Sequence, residues 1–239
     1  MDLLDFTFAT PAENLALDEA LLNESDEAAR RGEAAREWLR LWESPVPFVV
    51  LGSTGRLAEE VHHEACRRNG IAILRRSSGG GTVLAGPGCL CFSLIFDLEK
   101  RPELRDIHAS YRAILGRIAA CLAVEGLTHR GISDLALGNR KVAGNSQRRK
   151  SATLLHHGAI LCHFDLPRIT ALLKDPARQP DYRAGRTHSE FLANLALPVE
   201  TIKQRLAQCW DATKSREKLP DLAALLREKY ENARWMERF

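Results

Sequence analysis

The chain lacks any apolar run near the roughly 20 residues a bilayer crossing takes, so the sequence argues against a membrane span. Its start, Met1-Asp2-Leu3-Leu4-Asp5, has neither the basic opening nor the apolar stretch of a signal peptide. Cysteine is present six times (66, 89, 91, 121, 162 and 209) but never as Cys-x-x-Cys. That pattern reads as reduced thiols, mainly core residues, in a cytoplasmic protein. Cys89 and Cys91 fall on alternate positions of a strand, and burial explains them better than metal ligation. The net charge is only +3, too small to argue for nucleic acid. Internal repeats and low-complexity linkers are also missing. What remains, 239 residues with 45% hydrophobic and 27% charged content, fits one large globular domain, or one domain with a small appendage.

The apolar pattern alternates between short strands and helices. Thr10-Pro11-Ala12-Glu13 has the form of a capping box with proline at the first helical position, opening a helix to about residue 24. Residues 24–37 either extend it or form a surface turn. Residues 38–42 and 48–52 read as strands, and 57–69 as a helix stopped by Gly70 in the left-handed region. The longest helix is expected over 107–125, with a stripe of Ile107, Tyr111, Ile114, Leu115, Ile118 and Leu122, ended by Gly126. Strands follow at 140–144 and 153–164, and the chain beyond 166 reads as mostly helical, with a basic interlude at 175–188. Strands in adjacent pairs with helices between predict an α+β fold, a mixed and largely antiparallel sheet flanked by helices.

Arg75-Arg76-Ser77-Ser78-Gly79-Gly80-Gly81-Thr82-Val83 lies between two apolar strand patterns, residues 70–74 and 89–96. Three consecutive glycines let the backbone take positive φ and approach a ligand closely. Two arginines at the lip supply forks suited to phosphate or carboxylate. The glycines are contiguous and no helix follows directly, so this is not a dinucleotide fingerprint. No Gly-Lys-Ser/Thr closes the loop, so it is not a P-loop either. Taken alone, it can also be read as a glycine-rich hairpin with surface arginines.

A second segment, residues 134–150, presents Lys141 on a strand between Arg140 and Val142 after a Gly138-Asn139 turn. On a strand, Lys141 points opposite to both neighbours. If those face solvent and sheet edge, Lys141 faces a pocket, where a buried cation needs an anionic partner. A solvated strand lysine is the competing reading. Asp134 either holds Mg²⁺ or caps the turn. His156 and His157 are adjacent and point to opposite faces, one packed under the loop and the other solvated. Arg183, Arg186 and His188 read as loop residues that could guide an acidic partner, or as a plain solvated loop.

"RRSSGGGTV", "DLALGNRKVAGNSQRR" and "HHGAIL", with "NLALDEALL" in the first helix, together resemble the lipoate–protein ligase A family of the biotin/lipoate ligase superfamily, over about residues 10–195. The resemblance implies a class II synthetase/biotin-ligase-like catalytic domain over residues 1–195, with 196–239 a short helical extension of the same domain or a small appendage. It implies ATP and Mg²⁺, and lipoate as substrate, activated to lipoyl-adenylate and passed to a lysine of a lipoyl carrier domain. Such carriers are dehydrogenase acyltransferase subunits or resemble the glycine cleavage H protein. By the same resemblance, Arg76 contacts the nucleotide, Gly79 and Gly80 give close approach, and Gly81, Thr82, Val83 and Leu84 run along the adenylate. Lys141 touches the acyl carbonyl and the phosphate, with Gly80 and Gly81 beside the lipoate. A slot for the acyl tail is expected around Leu41, Val49 and Leu90.

Two departures from the family pattern stand out. Ala85 replaces a histidine that many members carry, and the chain ends at Phe239 without room for a separate accessory domain. Either a compact one-domain ligase or a need for a separate accessory polypeptide follows. No nucleic acid or membrane partner is implied. Two other activities compete. One is octanoyl or lipoyl transfer through a cysteine thioester, for which residues 126–133 offer no cysteine and Cys121 and Cys162 are the nearest candidates. The other is a non-catalytic module that binds lipoyl domains.

Overall fold

The segment Cys89–Asp97 is buried at all nine positions, and the fold is arranged to cover both of its faces. The structure, a computed structural model, describes residues 1–214 and 218–238. The chain runs β1 (Asp2–Asp5), α1 (Pro11–Arg30), β2 (Trp38–Trp42), β3 (Phe48–Leu51), α2 (Leu57–Glu60), α3 (His63–Arg68), β4 (Ala72–Arg75), β5 (Val83–Ala85) and β6 (Cys89–Asp97). It continues α4 (Ile107–Leu122), β7 (Leu127–Arg130), β8 (Asp134–Leu137), β9 (Arg140–Arg149), β10 (Thr153–Leu161), α5 (Leu166–Leu172), α6 (His188–Phe191), α7 (Val199–Cys209), β11 (Thr213–Lys214), α8 (Ala223–Leu225) and α9 (Ala233–Met236).

Eight strands form one sheet in the order β11-β1-β2-β6-β10-β9-β8-β7, and β4-β3-β5 form a second. Among the strands of the described residues, only β1 with β2, β1 with β11, and β3 with β4 pair in parallel. The α+β class and the largely antiparallel sheet expected from the sequence are therefore present. Alternation along β2 and β6 sends Leu39, Leu41, Leu90, Phe92, Leu94 and Phe96 to the face covered by α4 and α7. Trp38, Trp42, Cys89, Cys91 and Ile95 go to the opposite face, under α1 and the small sheet.

Helix α1 begins as expected. Thr10 and Glu13 close a capping box with Pro11 in the first turn, and the helix runs on to Arg30. The expected helix over 57–69 is instead two short ones. Between them Val61 is extended and bridges Leu173, and His62 donates its N–H to Leu172 O at 2.9 Å. That long-range pairing is invisible in local periodicity. Helix α4 ends at a left-handed Ala123 rather than at Gly126, which turns the chain into β7. Strand β9 runs five residues past the expected residue 144, to Arg149, because β10 pairs along it as far as Leu154. Towards the C-terminus the expected helical chain is broken into short pieces, α8, a π-turn (Leu226–Tyr230) and α9.

The chain after α7 folds back on the first half. Lys229 Nζ and Tyr230 OH both reach the Glu19 carboxylate, at 2.6 Å each. Trp235 Nε1 donates to Arg75 O at 2.9 Å, and the Arg75 guanidinium donates to Met236 O at 2.8 Å. One cysteine expectation is corrected here. Cys121 and Cys209 are joined as a disulfide across 88 residues, because α4 and α7 lie side by side with these Cα atoms 5.7 Å apart. Among the described residues, no helix is long and apolar enough to cross a membrane.

Candidate active site

A cavity of about 910 Å³ lies between the α1-side face of the large sheet and the small sheet. Arg76, Gly80, Gly81, Thr82, Val83, Leu84 and Lys141 all line it, so the two motifs read from the sequence converge on one space. Gly79 stands behind the wall. Its carbonyl accepts from Arg76 Nη2 at 2.6 Å and from Ser146 Oγ at 2.8 Å.

The glycine loop is held from beneath by Arg76. Its guanidinium donates to Ser78 Oγ (3.0 Å), Val50 O (3.2 Å), Gly79 O (2.6 Å) and Gly81 O (2.9 Å). Burial pulls its pKa down to about 10, still cationic at neutral pH. A charge in the loop's concavity with its forks spent on loop carbonyls fixes the loop's shape and leaves a positive field at its rim. Gly80 takes φ of +84°, which a side chain rarely adopts. Gly52, at the end of β3, permits the loop to lie against it, since a Cβ there would sit 2.0 Å from Gly80 O. Glu60 on α2 pins the loop's far end, accepting from Thr82 N at 3.1 Å and Thr82 Oγ1 at 2.7 Å.

Lys141 is aimed by a bulge. The pairing of β8 with β9 shifts register between Leu135 and Ala136, and such an irregularity re-aims a side chain. Its Nζ lies 2.7 Å from Asp134 Oδ1, over Gly144, where a Cβ would sit 2.9 Å from Nζ. Tyr182 OH donates to the other Asp134 oxygen at 2.8 Å, and burial together with Asp134 pushes the phenol's pKa up. Arg140 stays outside and donates to Leu192 O at 2.6 Å, whereas Val142 enters the core rather than facing solvent. Both oxygens of Asp134 are thus engaged within the protein, which does not fit the suggested Mg²⁺ ligand. Among the described residues no group of three or more His, Cys, Asp or Glu side chains could hold a metal.

The cavity floor is a row of small residues running across the sheet. Gly144 on β9 pairs with Ala159 on β10, Ala159 with Cys91 on β6, and Cys91 with Trp42 on β2. Phe48 stacks on Trp42 with ring centroids 6.3 Å apart. The expected slot residues Leu41, Val49 and Leu90 are corrected by one position each. Trp42, Val50 and Cys91 line the cavity, while Leu41 and Leu90 face α4 and Val49 is packed inside the small sheet's core.

A polar row runs beside this floor, composed of Ser146, His157, Ser93 and Arg40 in register. Arg40 is fully buried and donates to Asp18 Oδ1, Asn14 Oδ1 and Asn14 O at 2.6, 2.6 and 2.7 Å. His157 Nε2 is 2.6 Å from Ser78 Oγ, and its Nδ1 is 4.0 Å from Asp18. The family-like segment of the first helix therefore serves this row, and Asp18 and His157 themselves line the cavity. Sequence reasoning missed Asp18, which with the adjacent Glu19 interrupts the apolar run of residues 15–22. His157 packs under the loop as one of the two histidines was expected to. His156 is not the solvated partner: it is buried between Phe92 and Tyr111, and burial lowers its pKa to about 3.

Residues 174–192 form the outer wall of the cavity, which corrects the reading of the basic interlude as a plain solvated loop. Arg183 is buried, ion-paired to Asp175 at 2.7 Å, and stacked over Phe191. His188 lines the cavity, and Arg186 is tied to Asn139 O, Tyr182 O and Arg183 O. Of the free cysteines, Cys162 is buried, with its thiol pushed up to about 11 by burial. Cys91 is the one that lines the cavity, itself only 8% exposed.

A family profile described as the lipoyl protein ligase A/B catalytic domain matches residues 10–211. A protein named as a lipoate-protein ligase A from Aeropyrum pernix is 32% identical over 171 residues, 72% of this chain and 61% of that one. The match thus spans less than two thirds of that relative's length. A protein named octanoyltransferase LipM from Geobacillus kaustophilus is 24% identical, over 97% of this chain and 96% of that one. Among solved structures, a bi-partite lipoate protein ligase from Thermoplasma acidophilum superposes with a TM-score of 0.78 at 24% identity, covering 99% and 95% of the two chains. A lipoate-protein ligase A bound with ATP gives 0.78 at 24%, covering 100% and 99%. These last two likenesses concern the fold, and it is the ligase-type catalytic fold that the sequence pattern led one to expect.

Proposed function

Because the chain belongs to the lipoyl protein ligase A/B catalytic-domain family, we propose that it is an ATP-dependent lipoate–protein ligase. The observation that carries this reading is the convergence of Lys141, the Arg76-braced glycine loop and an apolar floor on one cavity. In the first step a lipoate carboxylate oxygen attacks the α-phosphorus of ATP, forming lipoyl-adenylate and releasing pyrophosphate. In the second, the neutral amine of a carrier lysine attacks the acyl carbonyl, an amide forms, AMP leaves, and the amine's proton passes to solvent. Both steps gather negative charge on the phosphate or the carbonyl oxygen. A fixed cation and preorganised donors stabilise that charge, usually the largest catalytic contribution. Lys141, held by Asp134 over the floor, is the cation so placed, and the loop at Gly80–Gly81 flanks the same space. The carrier is a lipoyl domain of an acyltransferase subunit or an H-protein-like carrier. Magnesium, if required, would arrive with the nucleotide.

A second reading has one observation in its favour, the near full-length match to proteins named octanoyltransferase LipM. A thioester route needs an accessible thiol with a lowered pKa. Cys162 has the opposite shift, and Cys91 is almost fully buried in the floor. The ligase reading therefore leads. Its test is the mass of a carrier domain after incubation with lipoate, with and without ATP, alongside an acyl carrier protein donor. Lipoylation should require ATP and release pyrophosphate; transfer from the acyl carrier protein without nucleotide would overturn the assignment.

The cysteines supply an independent check. Cys162→Ser and Cys91→Ser should each retain lipoyl transfer, with losses confined to packing, since an adenylate route uses no sulfur. Complete inactivation of either variant, together with an acyl-thioester trapped on that residue in the unaltered protein, would move the chain to the transferase class.

A further inference from the structure

A glycine-rich loop has many backbone conformations open to it, so a single shape has to be imposed by its neighbours. Arg76 supplies part of that constraint; the turn after β3, Gly52–Gly55, supplies more. Ser53 N donates to Ser78 O at 2.7 Å, and Gly52 lies against Gly80 O. The next residue, Arg56, donates its N–H to Glu60 Oε1 at 2.9 Å, on the same carboxylate that holds Thr82. The turn carries two glycines of its own, and its shape is fixed in turn by two arginines that take its carbonyls. Arg75 Nη1 donates to Gly52 O at 2.9 Å and to Gly55 O at 2.7 Å, and Arg238 donates to Ser53 O.

Both arginines meet at Trp235. Its indole N–H donates to Arg75 O at 2.9 Å, and its own carbonyl accepts from Arg75 Nε at 3.1 Å. The Arg238 guanidinium lies 3.7 Å from the centre of its ring, and Lys229 Nζ, anchored on Glu19, lies 4.2 Å from it. Residues 229–238 are not part of the cavity lining. They form a layer behind the loop, and a binding loop performs only as well as the layer that holds it.

We propose that Trp235 is a positioning residue for the glycine loop: it holds the arginines that shape the Gly52–Gly55 turn, and through that turn it sets how tightly the cavity takes the nucleotide. The proposal rests on the ATP-dependent reading above and adds to it a residue outside the cavity. The effect falls on ATP rather than on lipoate, because the small-residue floor is built from β2, β6, β9 and β10 instead of the loop. Thermodynamic linkage makes it mutual. If Trp235 favours the loop shape that binds nucleotide, bound nucleotide favours the Trp235 contacts by the same factor.

Two measurements on the full chain test this. The first is hydrogen exchange of the unaltered protein, read by mass spectrometry with and without ATP. ATP should slow exchange in peptides covering residues 80–84 and also in those covering 233–238. Protection of 80–84 with 233–238 unchanged overturns the Trp235 role and leaves the ATP-dependent reading standing. If ATP protects neither segment and shows no heat of binding, with or without lipoate, that reading fails and the proposal falls with it. The second is calorimetry on Trp235→Phe, which keeps a ring for the two cations and removes the N–H. Its affinity for ATP should fall about 3- to 10-fold, the range one net hydrogen bond provides, with lipoate affinity unchanged. Ile202→Val, which removes one buried methyl group beneath α7 on the sheet's other face, weakens the fold to a similar degree and should leave ATP binding as it was. Unchanged ATP affinity in Trp235→Phe, or an equal loss in Ile202→Val, overturns the proposal. The exchange measurement needs no variant, so a misfolded Trp235→Phe does not remove the test.

Discussion

Lys141→Ala should slow acyl transfer by on the order of 10² to 10³, the usual cost of losing one preorganised group that meets charge developing in the transition state. The position argues for an effect on rate rather than on binding. Nζ is fixed by Asp134 at 2.7 Å and by the contour of Gly144 beneath it, so its charge is in place before the substrate arrives. Single-turnover measurements should therefore show the loss in the chemical step, with the dissociation constant for lipoate changed much less. Lys141→Arg is not a conservative alternative, because a planar fork cannot occupy the point contact over Gly144. Gly144→Ala should mimic part of the effect by displacing the amine. Near-normal turnover in folded Lys141→Ala protein would remove Lys141 from the mechanism.

The motifs that bring Lys141 and the glycine loop together were legible because their chemistry is local. Contiguous glycines beside arginines, and a lysine after a Gly-Asn turn, stand out in any single stretch of sequence. The slot was not legible, and the reason is physical. All five positions of β2 and all nine of β6 are buried. Strands covered on both faces carry no polar alternation to say which residues face the cavity. Leu41, Val49 and Leu90 were thus as plausible as Trp42, Val50 and Cys91, and a shift of one residue turns a side chain to the other face.

Long-range pairings were equally hidden. Asp18 and Arg40 lie 22 residues apart, and His157 meets Ser78 across 79. Cys121 and Cys209 had no spacing to connect them, and the wall built from Arg183 and His188 read as an ordinary basic loop. What these share is dependence on which elements become neighbours, which only the closed sheet decides. The bulge that aims Lys141 belongs to the same class: the sequence named the lysine, whereas β8 supplied its direction and its counter-ion.

Asp18→Ala should be the most destabilising single change near the site. It leaves the Arg40 guanidinium, fully buried behind the cavity floor, without its counter-charge. Removing one partner of a buried pair typically costs about 3–5 kcal/mol, because the other charge remains desolvated. For a chain of this size that corresponds to a fall in melting temperature of roughly 10 °C. The pH dependence follows from the shift at Asp18. Burial works to raise its pKa, but Arg40 and His157 outweigh it and hold the carboxyl below its ordinary value of 3.8. A carboxylate depressed in the folded state contributes stability that is fully present above the unfolded value, and that contribution is lost as pH falls through the folded one. The stability gap between the unaltered protein and Asp18→Asn should therefore be constant near neutrality and narrow only below about pH 4. Denaturant melts of the two proteins at pH 7, 5 and 3 measure it directly. A gap already closing between pH 7 and 5 would mean that Asp18 is not the ionised partner of Arg40, and that the polar row beneath the loop is held by the Asn14 contacts instead.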